Sequence, residues 1–133
     1  MSSMNRTIKG EVLVRHLKRD EWLIDPVLLA KHGRSARTLV KEGPLRLTIM
    51  AIAPAADMPP HSTNGPVTIH VVEGDIRVQA LGREYPLATG DVVALAAGVE
   101  HSVRSCNGGV FLLTVVHSPS AGSMSANEED RMR

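Results

Sequence analysis

Six histidines, His16, His32, His61, His70, His101 and His117, are the side chains best able to do chemistry here. An imidazole changes charge near neutral pH, accepts or donates hydrogen bonds, and ligates transition metals. Two of them stand out by their surroundings. His61 follows Pro59-Pro60, a stiff lead-in that presents a side chain firmly. His101 ends the stretch Gly90-Asp91-Val92-Val93-Ala94-Leu95-Ala96-Ala97-Gly98-Val99-Glu100-His101, which opens on a Gly-Asp turn, runs through a short apolar segment and breaks at Gly98. This framing predicts two imidazoles in the mouth of a small β-barrel. There they would bind an organic ligand, act as acid or base, or hold a metal. His70 alternates onto the face opposite Val67, Ile69 and Val71, so it points inward only if a bulge near Pro66 reverses the strand. His117 reads as a surface or interface residue, and His16 and His32 as solvated. Glu73, Asp75 and Asp91 sit beside glycines and are explained by turn chemistry. Glu100 alternates away from His101, and Cys106 reads as a passive thiol beside a turn. No nucleophile has an adjacent base, and no phosphate-cradling loop is present.

The elements that must position these residues are mostly short strands. Asp20 is a candidate N-cap ahead of Trp22-Leu23-Ile24, and Asp25-Pro26 is a second helix start, with Gly33 as C-cap. A short helical flank is expected there. Strands are expected over 36–40, 45–52, 66–72, 76–80, 85–87, 92–95, 102–105 and 110–116, with Leu45, Leu47 and Ile49 on one face of the second. Residues 54–65 read as loop. Glu73-Gly74-Asp75, Gly82-Arg83-Glu84, Thr89-Gly90-Asp91 and Asn107-Gly108-Gly109 read as turns. The organisation that follows is an N-terminal arm over 1–35, an all-β barrel over 36–118 and a disordered polar tail over 119–133.

Composition narrows the function. The chain has 133 residues, enough for one core, and 43% are hydrophobic. Trp22, Tyr85 and Phe111 are its only aromatics, so surfaces for stacking nucleic-acid bases are nearly absent. A net charge of +1 with interspersed signs supplies no basic face, which argues against a nucleic-acid partner. No apolar run approaches the roughly 20 residues of a membrane span. The lone Cys106 excludes an internal disulfide and suits a reducing, cytoplasmic compartment.

The spacings resemble those of the cupins, small jelly-roll barrels with two motifs. The first runs Gly, five residues, His-x-His, three or four residues, Glu, six residues, Gly, and falls on Ala55, His61, Thr63, Val67 and Gly74. The second runs Gly, five residues, Pro-x-Gly, two residues, His, three residues, Asn, and falls on Gly90, Ala96, Gly98, His101 and Ser105. The resemblance covers residues 36–117 and implies a single-domain, RmlC-like cupin barrel. Metal-binding cupins use both histidines and the glutamate of the first motif with the histidine of the second. Here Thr63 and Val67 replace two of those four, and two imidazoles hold a first-row metal weakly.

Two functions follow as expectations. The first is a binding protein that takes a small organic molecule, such as a hydrophobic acid or a phenol, with His61, Thr63, Val67 and His101 around it. The alternative is a metal-dependent enzyme of dioxygenase, isomerase or lyase type. It would use iron, manganese, nickel or zinc on His61, His101 and a non-standard third ligand such as His70. An inert dimerisation module is the remaining possibility. A homodimer is expected in each case, because an open jelly roll leaves strand edges to be covered.

Overall fold

A helix, α1 (Pro26–His32), is the first element of the fold, and its ends are those the sequence signals. Asp25 adopts an extended conformation and its carboxylate accepts from the Val27 and Leu28 amides, while Pro26 fills the first helical turn. Gly33, at φ 78°, closes the helix with its amide on the Leu29 carbonyl. The structure is a computed structural model, described at residues 6, 8, 12–17 and 23–118. The expected Asp20 cap with Trp22, and the expected tail over 119–133, lie outside the described residues. No helix among the described residues is long and apolar enough to cross a membrane.

Eight strands follow: β1 (Arg34–Glu42), β2 (Leu45–Ile52), β3 (Asp57–His61), β4 (Val67–Ala80), β5 (Arg83–Ala88), β6 (Val92–Leu95), β7 (His101–Arg104) and β8 (Gly109–Val116). Every pairing is antiparallel. The order runs β1-β2-β8-β4-β7-β3, with β5 and β6 each pairing with β4. The long β4 is the hinge of the sheet. Its first half lies between β8 and β6, and its second half between β5 and β7. This is an all-β, curled antiparallel half-barrel.

Two expectations are corrected here. Glu73-Gly74-Asp75 is not a turn, because β4 continues through it. The ladder with β8 shifts register between Val71 and Glu73, and Gly74 takes φ 82°. A Cβ at Gly74 would come within 2.4 Å of the Gly108 carbonyl oxygen, so only glycine lets the two strands stay this close. The stretch before His61 is not all loop either. Residues Asp57–His61 form β3, whose register on β7 slips between Met58 and His61, as two consecutive prolines require at a sheet edge.

The core divides in two. Val67, Ile69, Val71, Ile76, Val78, Val103, Phe111 and Val115 fill the concave side together with Met50 and Ile52. Ile49 belongs instead to a second cluster with Leu23 and Leu39, against which Leu17, Leu47 and Leu112 pack. The Leu47-Ile49 face of β2 is therefore its outer face, covered by the N-terminal segment. The alternation was legible, but both of its faces are apolar in the second half of β2.

Candidate functional site

β7 places His101 between two neighbours, directly opposite His61 on β3 and Ala80 on β4. The approach to β7 is fixed by Gly98, at φ 82°, whose amide donates to the Thr63 carbonyl at 2.8 Å. Alternation along β7 then turns His101 and Val103 inward and Ser102 and Arg104 outward. The His101 and His61 rings pack at a centroid distance of 4.4 Å, tilted by 56°.

Each ring is oriented by a backbone carbonyl two residues before it. The Nδ1–H of His101 donates to Val99 at 3.0 Å, and that of His61 to Pro59 at 3.3 Å. A carbonyl can only accept, so each ring carries a proton on Nδ1. His101 is 2% exposed, and its Nε2 is buried without a partner. Burial holds the His101 pKa below the ordinary histidine value of 6.5, and the nearby His61 adds to this against the opposing Val99 bond. His101 thus offers a neutral imidazole with an unused acceptor.

The other expected site residues stand apart. Val67 is 1% exposed and belongs to the core, where it offers no donor. Thr63 is buried, with its hydroxyl donating to the Gly65 carbonyl at 2.8 Å. His70 is exposed and pairs across the sheet with Leu112 and Val92, on the face opposite Val67 and Ile69. The four motif positions do not make a metal site of the family's kind. Val67 has no ligating atom, the Thr63 hydroxyl is a poor ligand unless deprotonated, and no group of three or more His, Cys, Asp or Glu among the described residues could hold a metal ion.

A groove of about 450 Å³ borders His101. Its side chains are mostly polar: Gln79, Arg83, Glu84, Glu100 and Ser102. Neither Thr63 nor Val67 lines it. Glu84 is saturated, with Arg104 at 2.7 Å, Arg77 at 3.3 Å and the Gln79 amide at 3.4 Å. The Arg104 bond is foremost in holding its carboxyl below the usual range. Sequence reasoning missed Arg83 and Glu84 because it read them only as a turn. The signal was Leu81-Gly82, a two-residue hairpin loop whose first position normally takes Asn, Asp or Gly.

The curled sheet and inward histidine pair place the protein among the small antiparallel β-barrels. A cupin-domain profile matches residues 48–117, more than half of the chain, and the chain belongs to the cupin family. No curated protein matches its sequence. Among solved structures it is similar to a conserved protein of unknown function from Streptococcus pyogenes, at 21% identity and a TM-score of 0.62, over 89% of this chain and 96% of that one. It is similar to an RmlC-like cupin from Shewanella frigidimarina at 21% identity and a TM-score of 0.61, over 67% and 80%. It is also similar to the salicylate 1,2-dioxygenase of Pseudoaminobacter salicylatoxidans at 18% identity and a TM-score of 0.68, over 77% of this chain and 32% of that one. At these identities the likeness is one of fold.

Proposed function

We propose that this cupin binds a small organic ligand beside the His61–His101 pair and has given up the family's metal set. The observation that carries this reading is the buried, orphaned Nε2 of His101, a residue that also borders a polar groove. A buried acceptor without a partner costs roughly 1–3 kcal/mol, which a ligand hydroxyl or N–H would recover. The half-buried His61 ring, packed against His101, would lie beside that donor. With the lowered pKa, His101 stays neutral at pH 7, donating through Nδ1 to Val99 and accepting through Nε2.

Metal-dependent chemistry is the second reading, favoured by two adjacent imidazoles whose backbone bonds engage Nδ1 and not Nε2. It needs a third ligand that His70 does not supply from its exposed face. Untagged protein, purified without chelator, should be analysed for metal before and after loading with iron, manganese, nickel and zinc, then screened by thermal shift against organic compounds. The binding reading expects well under one metal per chain and a stabilising compound whose effect is lost in His101→Phe. About one metal per chain, lost in His61→Ala and in His101→Ala, would overturn it in favour of the metal enzyme.

A further inference from the structure

The groove beside His101 carries two exposed charges that have no protein partner. Arg83 and Glu100 both border it, and among the described residues neither side chain makes a hydrogen bond or an ion pair. The contrast with Glu84 is informative, since its carboxylate is fully occupied by Arg77, Arg104 and Gln79. Gln79 is committed as well, accepting from the Ser102 hydroxyl at 3.4 Å. The groove therefore keeps one cation and one anion available, with the neutral His101 beside them.

Leu81 adds an apolar element that local folding does not explain. It occupies the first position of the two-residue loop between β4 and β5 at φ 53°, followed by Gly82 at φ 75°. Such loops favour Asn, Asp or Gly at that position, because a side chain with a Cβ is strained there. The leucine is nonetheless 79% exposed, so its side chain is not held there by packing. A strained residue with no structural return points to a role in contact. Leu81 and Pro60 supply the aliphatic part of the groove wall.

We infer that the groove takes a small aliphatic zwitterion, an amino acid whose carboxylate meets Arg83, whose ammonium meets Glu100, and whose side chain lies on Leu81. This rests on the reading that the groove beside His101 is a ligand site. Opposite free charges select a ligand carrying both signs over a simple acid, a simple amine or a neutral polyol, since either charge left facing its like or facing apolar matter weakens binding.

The test is calorimetric titration of the full chain with leucine, with 4-methylpentanoate and leucinamide as probes lacking one charge, and with glycerol as a neutral control. Glycine, β-alanine, 4-aminobutyrate and 6-aminohexanoate serve as a ruler for the spacing of the charges. Leucine or a member of the ruler series is expected to bind, with each single-charge probe weaker by about tenfold or more. Arg83→Gln should lower affinity for the zwitterion but not for leucinamide, and Glu100→Gln the converse with 4-methylpentanoate. Leu81→Asn should weaken leucine several-fold while leaving the fold at least as stable. If a neutral or singly charged compound binds, depends on His101 and is indifferent to Arg83→Gln and Glu100→Gln, the zwitterion inference falls and the ligand site stands. If no compound of any class binds, both fall.

Discussion

Replacing Ala55 with glycine is expected to make the protein more stable. Ala55 stands where the first cupin motif has glycine, and it holds the left-handed conformation that glycine serves, at φ 65°. An L-residue pays roughly 1–2 kcal/mol for that conformation. Glycine's greater freedom in the unfolded chain takes back roughly 0.5–1 kcal/mol. Ala55 is exposed, so removing its Cβ surrenders no buried surface. Its backbone bonds survive the change, because its amide donates to the Ser105 carbonyl at 2.9 Å whatever the side chain. The net gain is about 0.5–1 kcal/mol, which for a chain of this size is a rise in melting temperature of roughly 2–4 °C. Urea denaturation should show a higher midpoint with an unchanged slope, and calorimetry the matching shift. The opposite change at Gly74 is the control. With φ 82° and a Cβ position 2.4 Å from the Gly108 oxygen, Gly74→Ala should lose roughly 2–4 kcal/mol. A midpoint for Ala55→Gly at or below that of the parent would refute the reasoning, since it would mean that the loop leading to β3 carries no strain.

Three further outcomes are expected. The folded pKa of His101 lies below 6.5, so between that value and the folded pKa the unfolded chain binds a proton that the native state refuses. This part of the stability is complete above about pH 6.5 and falls as pH is lowered through the window. Urea midpoints from pH 7.5 to 5 should decline less steeply in His101→Phe, and equal slopes would contradict the assignment. Restoring the family's carboxylate by Val67→Glu should cost about 3 kcal/mol or more, because the side chain enters the core beside Leu95 and Val115 with no donor to meet it. Thermal melts measure this, and an undiminished melting temperature would show that the position opens to water. Finally, a homodimer is expected through the outer face of the β8-β4-β6 region, where Val92 and Val116 are 56% and 44% exposed and His70 lies between Val92 and Leu112. Light scattering should report twice the chain mass, and Val92→Lys a single chain. A monomer at micromolar concentration for the parent would count against it.

The sequence disclosed the parts of this molecule that local rules govern. Asp25, Pro26 and Gly33 act through bonds within a few residues, so α1 was legible, as were most strands and the parity of His70. The misread elements are those whose conformation depends on a distant partner. Gly74 has the look of a turn residue, and only the approach of Gly108 and Gly109 makes it a bulge that lets β4 serve both halves of the sheet. β3 looked like loop because Pro59 and Pro60 cannot join a central ladder, yet an edge strand tolerates them where β7 is its single neighbour.

The same distinction separates the two halves of the candidate site. Motif spacing brought out His61 and His101 because each is fixed by its own preceding residues, down to a carbonyl two positions back. Spacing also nominated Thr63 and Val67, but a motif position says where a side chain begins, not what it meets. Thr63 turns to Gly65, and Val67 completes the apolar core. Arg83 and Glu100 reach one groove from opposite sides because Ala80 pairs with both Arg83 and His101, a coincidence of two ladders nearly twenty residues apart in sequence. On the proposed reading, the ligand surface is therefore not built from substitutes near the family's metal positions. It is assembled where β4 ends, with His101 as the residue that both arrangements share.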